Sequence, residues 1–355
     1  MLGLNEQKLV DGVRFLGAFR FIETQYVGEV DSSKLIDGAI AGMVKSLGDP
    51  HSIYLNAGMY RELKNQTDGS FGGIGVYMDF KDQKVRVLSV IDGTPGEKAG
   101  IKAGDEILAV DGTAVQELAP DMVALRIRGD VGTQVVLRIH RDGEEDQDYT
   151  ITRDKIPVHT VAEKMLPDGV GYIRIASFGG RTGTEFREAY EKLEEQGVRG
   201  LVLDLRENPG GLVTSCVEIA NMLVPKGEIV SVVQRDGTKE DHMSSLEESK
   251  YPIVVLIDGN SASASEILAG ALQDTQAATL VGMKSYGKGS VQMVLPLSEA
   301  DAMKITIAKY YTPSGRSIDG IGIEPDVVVP MDAQAKTDVQ LQKAVEVLKE
   351  KLSKG

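Results

Sequence analysis

Cysteine is almost missing from this chain: its 355 residues include one, Cys216, which rules out an internal disulfide framework. That residue lies in the mixed, partly apolar stretch TSCVEIANMLV and is expected to pack in a core. So little cysteine fits the cytoplasm or an extracytoplasmic protein that avoids thiols, and does not choose between them. No apolar run approaches the ~18 residues of a membrane span. The early stretch FLGAFRFI is broken by Arg20 and has no small-residue cleavage site, so no signal peptide is visible. Basic excess is missing too, since the net charge is −14. An acidic surface of this kind repels nucleic acid and anionic membranes, so neither is an expected partner. The His and Cys residues show no metal-ligand spacing, and no Walker or Rossmann glycine pattern occurs. No metal or organic cofactor is therefore indicated. The chain also lacks internal repeats and low-complexity tracts.

What is present reads as a soluble globular protein, 42% hydrophobic and 26% charged, long enough for two or three domains. Residues 1–68 place apolar side chains at helical spacing in LVDGVRFLGAFRFI and KLIDGAIAGMVKSLG, with Asp31-Ser32 as a helix start and Asp49-Pro50 as a break. Residues 69–154 change to short strands and glycine turns, with one helical segment, LAPDMVALRIRG. Residues 155–330 alternate strands with helices, which argues for a crossover-connected, largely parallel sheet. Residues 331–355 close as an amphipathic helix. The fold class is α/β and multidomain: a helical N-terminal region, a β-rich module with helices, an α/β core and a C-terminal helix. The helices at both ends carry apolar stripes wider than a lone surface helix needs, so a homodimer through them is expected.

The β-rich module contains GGIGVYM at 72–78, followed by SVIDGTPGEKAGIKAGDEILAVDG at 89–112. This order of turn glycines and the DEILAVDG strand closely resembles a PDZ domain. Such a domain holds a peptide's C-terminal carboxylate on exposed N–H groups while the peptide pairs with a sheet edge. Here the resemblance assigns the carboxylate turn to Gly72, Gly73, Ile74 and Gly75, and the receiving strand to Val76 onward. The helix at about 119–127 would form the far wall of the groove. The plain alternative is that these glycines only satisfy turn geometry.

Three stretches of the α/β region point to chemistry. GNSASASEIL at 259–268 puts three serines on a tight strand-to-helix turn, where free backbone N–H groups favour negative charge. Simple capping by Ser263 or Ser265 is the competing reading. DLRENPGGL at 204–212 runs a charged pair into Gly210-Gly211, whose backbone freedom suits an oxyanion hole or a mere strand-ending turn. In SYGKGSVQ at 285–292, glycines flank Lys288 and allow the close approach that desolvates a lysine. To act as a base near neutral pH, a lysine must fall roughly three units from about 10.4, or about 4 kcal/mol. A neutral lysine is a known partner for a nucleophilic serine. None of the four histidines, His51, His140, His159 and His242, accompanies a glycine-framed serine with an acidic partner, although the fold could still assemble a Ser-His-Asp triad.

Taken together, GDPHSIYL, the PDZ-like module, DLRENPGG, SASASEI, YGKGSVQ and KYYTPSGRSI resemble a carboxyl-terminal processing (tail-specific) serine protease over nearly the whole chain. In that family the nucleophile and the lysine lie twenty-five residues apart, which selects Ser263 as partner of Lys288. The resemblance implies a crotonase-like core and further roles. Gln292 would orient the lysine amine, and the N–H groups of Gly210 or Gly211 and of Ala264 would form the oxyanion hole. Asp274 would be structural, and Arg128 would couple peptide binding to the site. The implied partners are protein substrates bound by their C-terminal tails, with room for a regulatory protein, in an extracytoplasmic or periplasmic setting. Two other classes compete. One is an idle PDZ scaffold or chaperone, which would have lost the serine or lysine. The other is an acyl-CoA enzyme, which would need a basic phosphate-binding cluster that the sequence lacks.

Overall fold

Three short runs, GLVLD, IVVLI and ATLVG, are dominated by β-branched and aliphatic residues and are followed at once by glycine or polar turns. Runs of this kind become central strands buried on both faces. In the computed structural model, which describes residues 6–81, 84–331, 335 and 337–354, they are neighbouring parallel strands. The chain divides into two compact units, one of residues 1–61 with 290–308, the other of 62–289 with 309–355.

In the first unit, helices span Glu6–Gln25 and Ser32–Lys45. The second starts where expected, since the Asp31 side chain caps it by accepting from Ser33 N–H at 3.0 Å and Lys34 N–H at 3.3 Å. The Asp49-Pro50 break is a side-chain-closed turn: Asp49 accepts from His51 N–H at 2.9 Å and from Ser52 Oγ at 2.6 Å. A short strand, Ile53–Leu55, follows and pairs antiparallel with Ala302–Lys304, so the N-terminal region is not wholly helical. Residues 290–308, expected in the α/β core, thus cluster with the N-terminal helices. Local periodicity carries no trace of such a distant pairing.

In the second unit, the β-rich module is a sheet with strands in the order 76–81, 84–90, 106–110, 134–140 and 147–152. Its core holds Ile74, Val87, Ile107, Val110, Leu137 and Ile151. The Val76–Lys81 strand lies at the sheet edge, and the expected helix spans Pro120–Ile127. The α/β core is a six-stranded sheet ordered 161–166, 170–175, 200–204, 253–257, 278–282 and 327–328, parallel apart from its first pair. The C-terminal helix, Val339–Lys354, buries Ala344 and Leu348 against Val202, Val254 and Val281 of that sheet. Its apolar stripe is therefore used inside the chain, which removes the ground for self-association through it. The Glu6–Gln25 helix differs: it buries no residue and exposes Leu9, Val13, Leu16 and Phe21.

The charged pair of DLRENPGG is structural. Arg206 bonds Asp204 at 2.6 Å and Asp338 at 2.8 Å, fastening the start of the C-terminal helix to a strand end. Tyr172 donates to the same Asp204 at 2.7 Å. In the β-rich module, Asp105 is 1% exposed and accepts from Arg141 Nε at 2.7 Å and Nη2 at 2.8 Å. Burial pushes the Asp105 carboxyl up, but the hydrogen bonds from Arg141 and Lys102 outweigh it and hold the group below the usual carboxylate range. A folded value below the unfolded one, about 3.9, contributes stability that is fully present above that pH and is lost as pH falls on through the lower folded value. Arg141→Met leaves the buried carboxylate unpaired and is expected to cost about 3 kcal/mol at pH 7. The difference in thermal midpoint from wild type should shrink as the melt is repeated at pH 5, 4 and 3.

Candidate active site

The three stretches singled out by chemistry leave the carboxyl ends of three adjacent parallel strands. Gly200–Asp204 leads into residues 205–211, Ile253–Ile257 into the serine turn, and Ala278–Gly282 into the Lys288 loop. Open parallel sheets form their sites at this end, because the connecting loops fan out there beside helix N-termini.

The three serines separate by burial and bonding. Ser261 is fully buried and donates to Leu205 O at 2.8 Å, and Ser265 is fully buried and donates to Asn208 O at 2.9 Å. Both hydroxyls fix the turn to the neighbouring loop. Ser263 is half-buried and occupies the N-cap of the Ala264–Asp274 helix with φ 56° and ψ −115°. A non-glycine residue in that region is strained by about 1–3 kcal/mol and persists only where its surroundings enforce it.

Glu266 provides much of that enforcement. Its side chain is fully buried and its carboxylate accepts four hydrogen bonds. One oxygen takes Ser285 Oγ at 2.6 Å and Gly287 N–H at 2.7 Å. The other takes Ser263 N–H at 2.9 Å and Lys288 N–H at 2.8 Å. One carboxylate thus holds the main chains of both candidate catalytic residues. Tyr286 N–H adds a bond to Ser261 O at 3.0 Å. On the other flank, Tyr310, 2% exposed, donates its N–H to Gly289 O at 3.0 Å and its hydroxyl to Lys288 O. Sequence reading missed Glu266 and Tyr310. Glu266 was visible as the acid three residues after an N-cap serine, which is a capping signal, whereas Tyr310 left no local signal.

The glycine pair behaves unequally. Gly210 has φ +96°, and a Cβ there would lie 2.6 Å from Ala262 O and 2.9 Å from Ala264 N, so the close approach of the two loops requires glycine. Its N–H, expected at an oxyanion hole, instead donates to Asn208 Oδ1 at 2.9 Å. Gly211 bridges in parallel to Phe178, and a Cβ on it would lie 2.1 Å from Phe178 O. Cys216 lies beneath the turn as core, with no exposed surface, donating to Ala264 O at 3.2 Å, and burial pushes its thiol up. Asp274 accepts from Ser314 Oγ at 2.6 Å and pairs with Arg316, in keeping with a structural role. Gln292 belongs to the first unit, where its amide donates to Ser290 Oγ at 2.9 Å and Thr306 Oγ1 at 3.3 Å. His140, His159 and His242 stand beside Asp146, Glu185 and Glu240.

Of the peptide-turn residues, Gly72 and Gly73 are placed elsewhere than expected, in a two-stranded ribbon opposite Lys155 and Asp154. A Cβ on Gly72 would meet Gly129 O at 2.0 Å. Ile74 is buried in the module core, Gly75 has φ +79°, and Val76 opens the edge strand. Arg128 caps the Pro120–Ile127 helix and lays its guanidinium over the Phe71 ring at 4.3 Å. Among the described residues, no group of three or more His, Cys, Asp or Glu is arranged to hold a metal, and no helix is long and apolar enough to cross a membrane.

Comparison with known proteins agrees with this layout. Residues 169–329 match peptidase family S41, residues 72–151 the PDZ domain, and residues 5–59 the N-terminal domain of the activating protease CtpB. A carboxy-terminal-processing protease of Bartonella bacilliformis is 43% identical over 325 residues, covering 89% of this chain and 74% of its own. The carboxy-terminal processing protease CtpB of Bacillus subtilis is 38% identical, covering 88% of this chain and 66% of its own length. Among solved structures, a photosystem II D1 C-terminal processing protease is 31% identical, with a TM-score of 0.54, covering 97% of this chain and 98% of its own.

Glutamine in place of Glu266 keeps at most one of the two donor pairs, because its NH₂ group repels the other. Glu266→Gln is expected to lower kcat about 10²-fold, the cost of a misplacement near 1 Å. Steady-state peptide hydrolysis beside a thermal melt checks this, and an unchanged kcat in a folded variant refutes it.

Proposed function

Because this chain belongs to peptidase family S41, as a carboxy-terminal processing protease and hence a serine-type peptidase, we propose that it is an endopeptidase that grips a protein's C-terminal tail on its PDZ domain and cleaves within that tail through Ser263 and Lys288. The observation that carries the reading is the shared carboxylate of Glu266, bonded to the main-chain N–H of both residues. Ser263 is also the strained, half-buried member of the serine trio, while its two neighbours spend their hydroxyls on backbone carbonyls.

In this mechanism the Lys288 amine takes the Ser263 proton as Oγ attacks the scissile carbonyl. The oxyanion that forms is held by the N–H groups of Gly211 and Ala264 at the helix N-terminus. Lys288 then hands the proton to the leaving amine, which departs, leaving an ester on Ser263. Water, deprotonated by Lys288, hydrolyses the ester and restores the enzyme. The role of Gln292 in orienting the lysine rests on the family resemblance alone. The tail adds a strand along the free edge of Val76–Lys81, with its carboxylate on the Ile74–Val76 turn. Arg128, stacked on Phe71 next to that turn, links the groove to the ribbon that leads into the protease core. The exposed apolar residues of the Glu6–Gln25 helix suit self-association, and the family setting suggests an extracytoplasmic enzyme open to a regulatory protein.

Casein and a peptide with an apolar free C-terminus should be digested by wild type and spared by Ser263→Ala and Lys288→Ala. Cleavage surviving in Ser263→Ala would overturn the nucleophile. If wild type is silent, adding a tail peptide that fills the PDZ groove should switch activity on, whereas continued silence favours the scaffold reading.

A further inference from the structure

Asn208 is fully buried in the glycine-rich loop and bonded at both its main chain and its side chain. Its main-chain carbonyl accepts from Ala262 N–H at 3.0 Å and from Ser265 Oγ at 2.9 Å, residues on either side of Ser263. Its side-chain NH₂ donates to Ile175 O at 2.8 Å, while its Oδ1 accepts from Gly210 N–H at 2.9 Å. These partners fix which end of the amide is which, since a carbonyl needs a donor and an N–H an acceptor. An ionised aspartate of the same shape could not serve both.

We propose that Asn208 is a positioning residue of the oxyanion hole, its side chain locking the Gly210–Gly211 peptide with the Gly211 N–H turned toward the substrate carbonyl. The inference rests on the dyad reading and deepens it. Gly210 spends both of its main-chain groups: its N–H on Asn208, and its C=O on Phe178 N–H at 2.9 Å. In a trans peptide the N–H points opposite to the C=O. With Gly210 O turned to Phe178, the Gly211 N–H therefore points away from Phe178. The serine turn meets this loop at Gly210, where a Cβ would lie 2.8 Å from Ser263 Cβ and 2.9 Å from Ala264 N. Gly210 is buried and Gly211 is exposed, so the second glycine is the one a substrate can reach. With φ of +96° and +144°, this glycine-flanked peptide lacks the Cβ clashes that would otherwise restrain its rotation. A flip would aim a carbonyl oxygen at the developing oxyanion. Asn208 supplies the missing restraint, and its own carbonyl keeps the loop in register with the nucleophile.

Asn208→Ala removes the two side-chain bonds and leaves the two main-chain bonds to the serine turn. Its kcat and KM on a fluorogenic peptide with an apolar free C-terminus should be compared with those of wild type, beside a thermal melt. Inhibition by a peptide boronate of the same sequence should be measured with them. There Ser263 Oγ adds to the trigonal boron, its proton passes to Lys288, nothing leaves, and one boron-bound oxygen takes the oxyanion's place. The expected result is a kcat about 10²-fold lower, the worth of one oxyanion-hole donor. KM should stay within about twofold, and the boronate should weaken by the same factor as kcat/KM. A general packing defect does not give that split. Amide exchange should also be read residue by residue over 206–212. In wild type the Gly210 N–H should exchange about tenfold slower than that of Gly211, and the boronate should slow Gly211. In Asn208→Ala both should exchange fast. An unchanged kcat or boronate constant in the folded variant overturns the proposal. So does a wild-type Gly210 N–H that exchanges as fast as Gly211, or a Gly211 N–H left unprotected in the boronate adduct. These wild-type readings stand even if the variant fails to fold. Failure of the dyad is separable: the boronate then forms no adduct with wild type, or forms one equally with Ser263→Ala.

Discussion

The site depends on a single buried carboxylate. Glu266 has no solvent contact, and its charge is met by three backbone N–H groups and the Ser285 hydroxyl. A lone carboxylate in such a place costs several kcal/mol, while each hydrogen bond to a charged acceptor returns about 1.5–3 kcal/mol. Four of them outweigh the desolvation and leave enough to hold Ser263 in its strained conformation, which costs about 1–3 kcal/mol. The same charge that caps the start of the Ala264–Asp274 helix thus holds the main chains of Ser263 and Lys288 to one point. Replacing it with an apolar side chain would strand several N–H groups at once, so the interaction is all-or-none.

Around this centre the sheet contributes placement. Neighbouring parallel strands deliver the glycine-rich loop, the serine turn and the lysine loop to one end, spaced by the strand separation of about 4.8 Å. Small side chains and close backbone contacts then finish the job. Gly210 lets one loop touch the next, Ser265 and Asn208 stitch them, and Cys216 supports the turn from below.

Much of this was legible in the sequence, for identifiable reasons. The serine turn and the lysine loop stand in short glycine- and serine-rich stretches after apolar strands, which is a local signal, whereas the choice of Ser263 among the three serines rested on the family resemblance. The β-rich module was readable because its turns fall in a long fixed order. The C-terminal helix was readable from its period, although its apolar face turned out to cover the sheet. What stayed hidden was non-local. Tyr310 reaches the lysine loop from a strand more than twenty residues downstream. The Gly210 N–H is diverted by a side-chain oxygen two residues back, a choice that depends on how Asn208 is pinned to Ile175 O. Gly72 and Gly73 look like turn glycines, yet lie in a ribbon opposite Lys155 and Asp154, where Gly72 makes a close crossing with Gly129. The strand at 53–55 is too short to announce itself.

That short strand bears on how the protein is made. Ile53 pairs with Lys304, so the unit of residues 1–61 and 290–308 cannot be completed until the strand around residue 304 has been made. The PDZ module and the strands up to Gly282 emerge in between and can fold on their own local contacts, since domains form as units in order of synthesis. The Ile53–Leu55 strand must wait for its partner, because closing so long a loop comes late. A nascent chain stalled before residue 302 would lack both the partner of the Ile53–Leu55 strand and Tyr310, whose bonds to Gly289 and Lys288 complete the lysine loop.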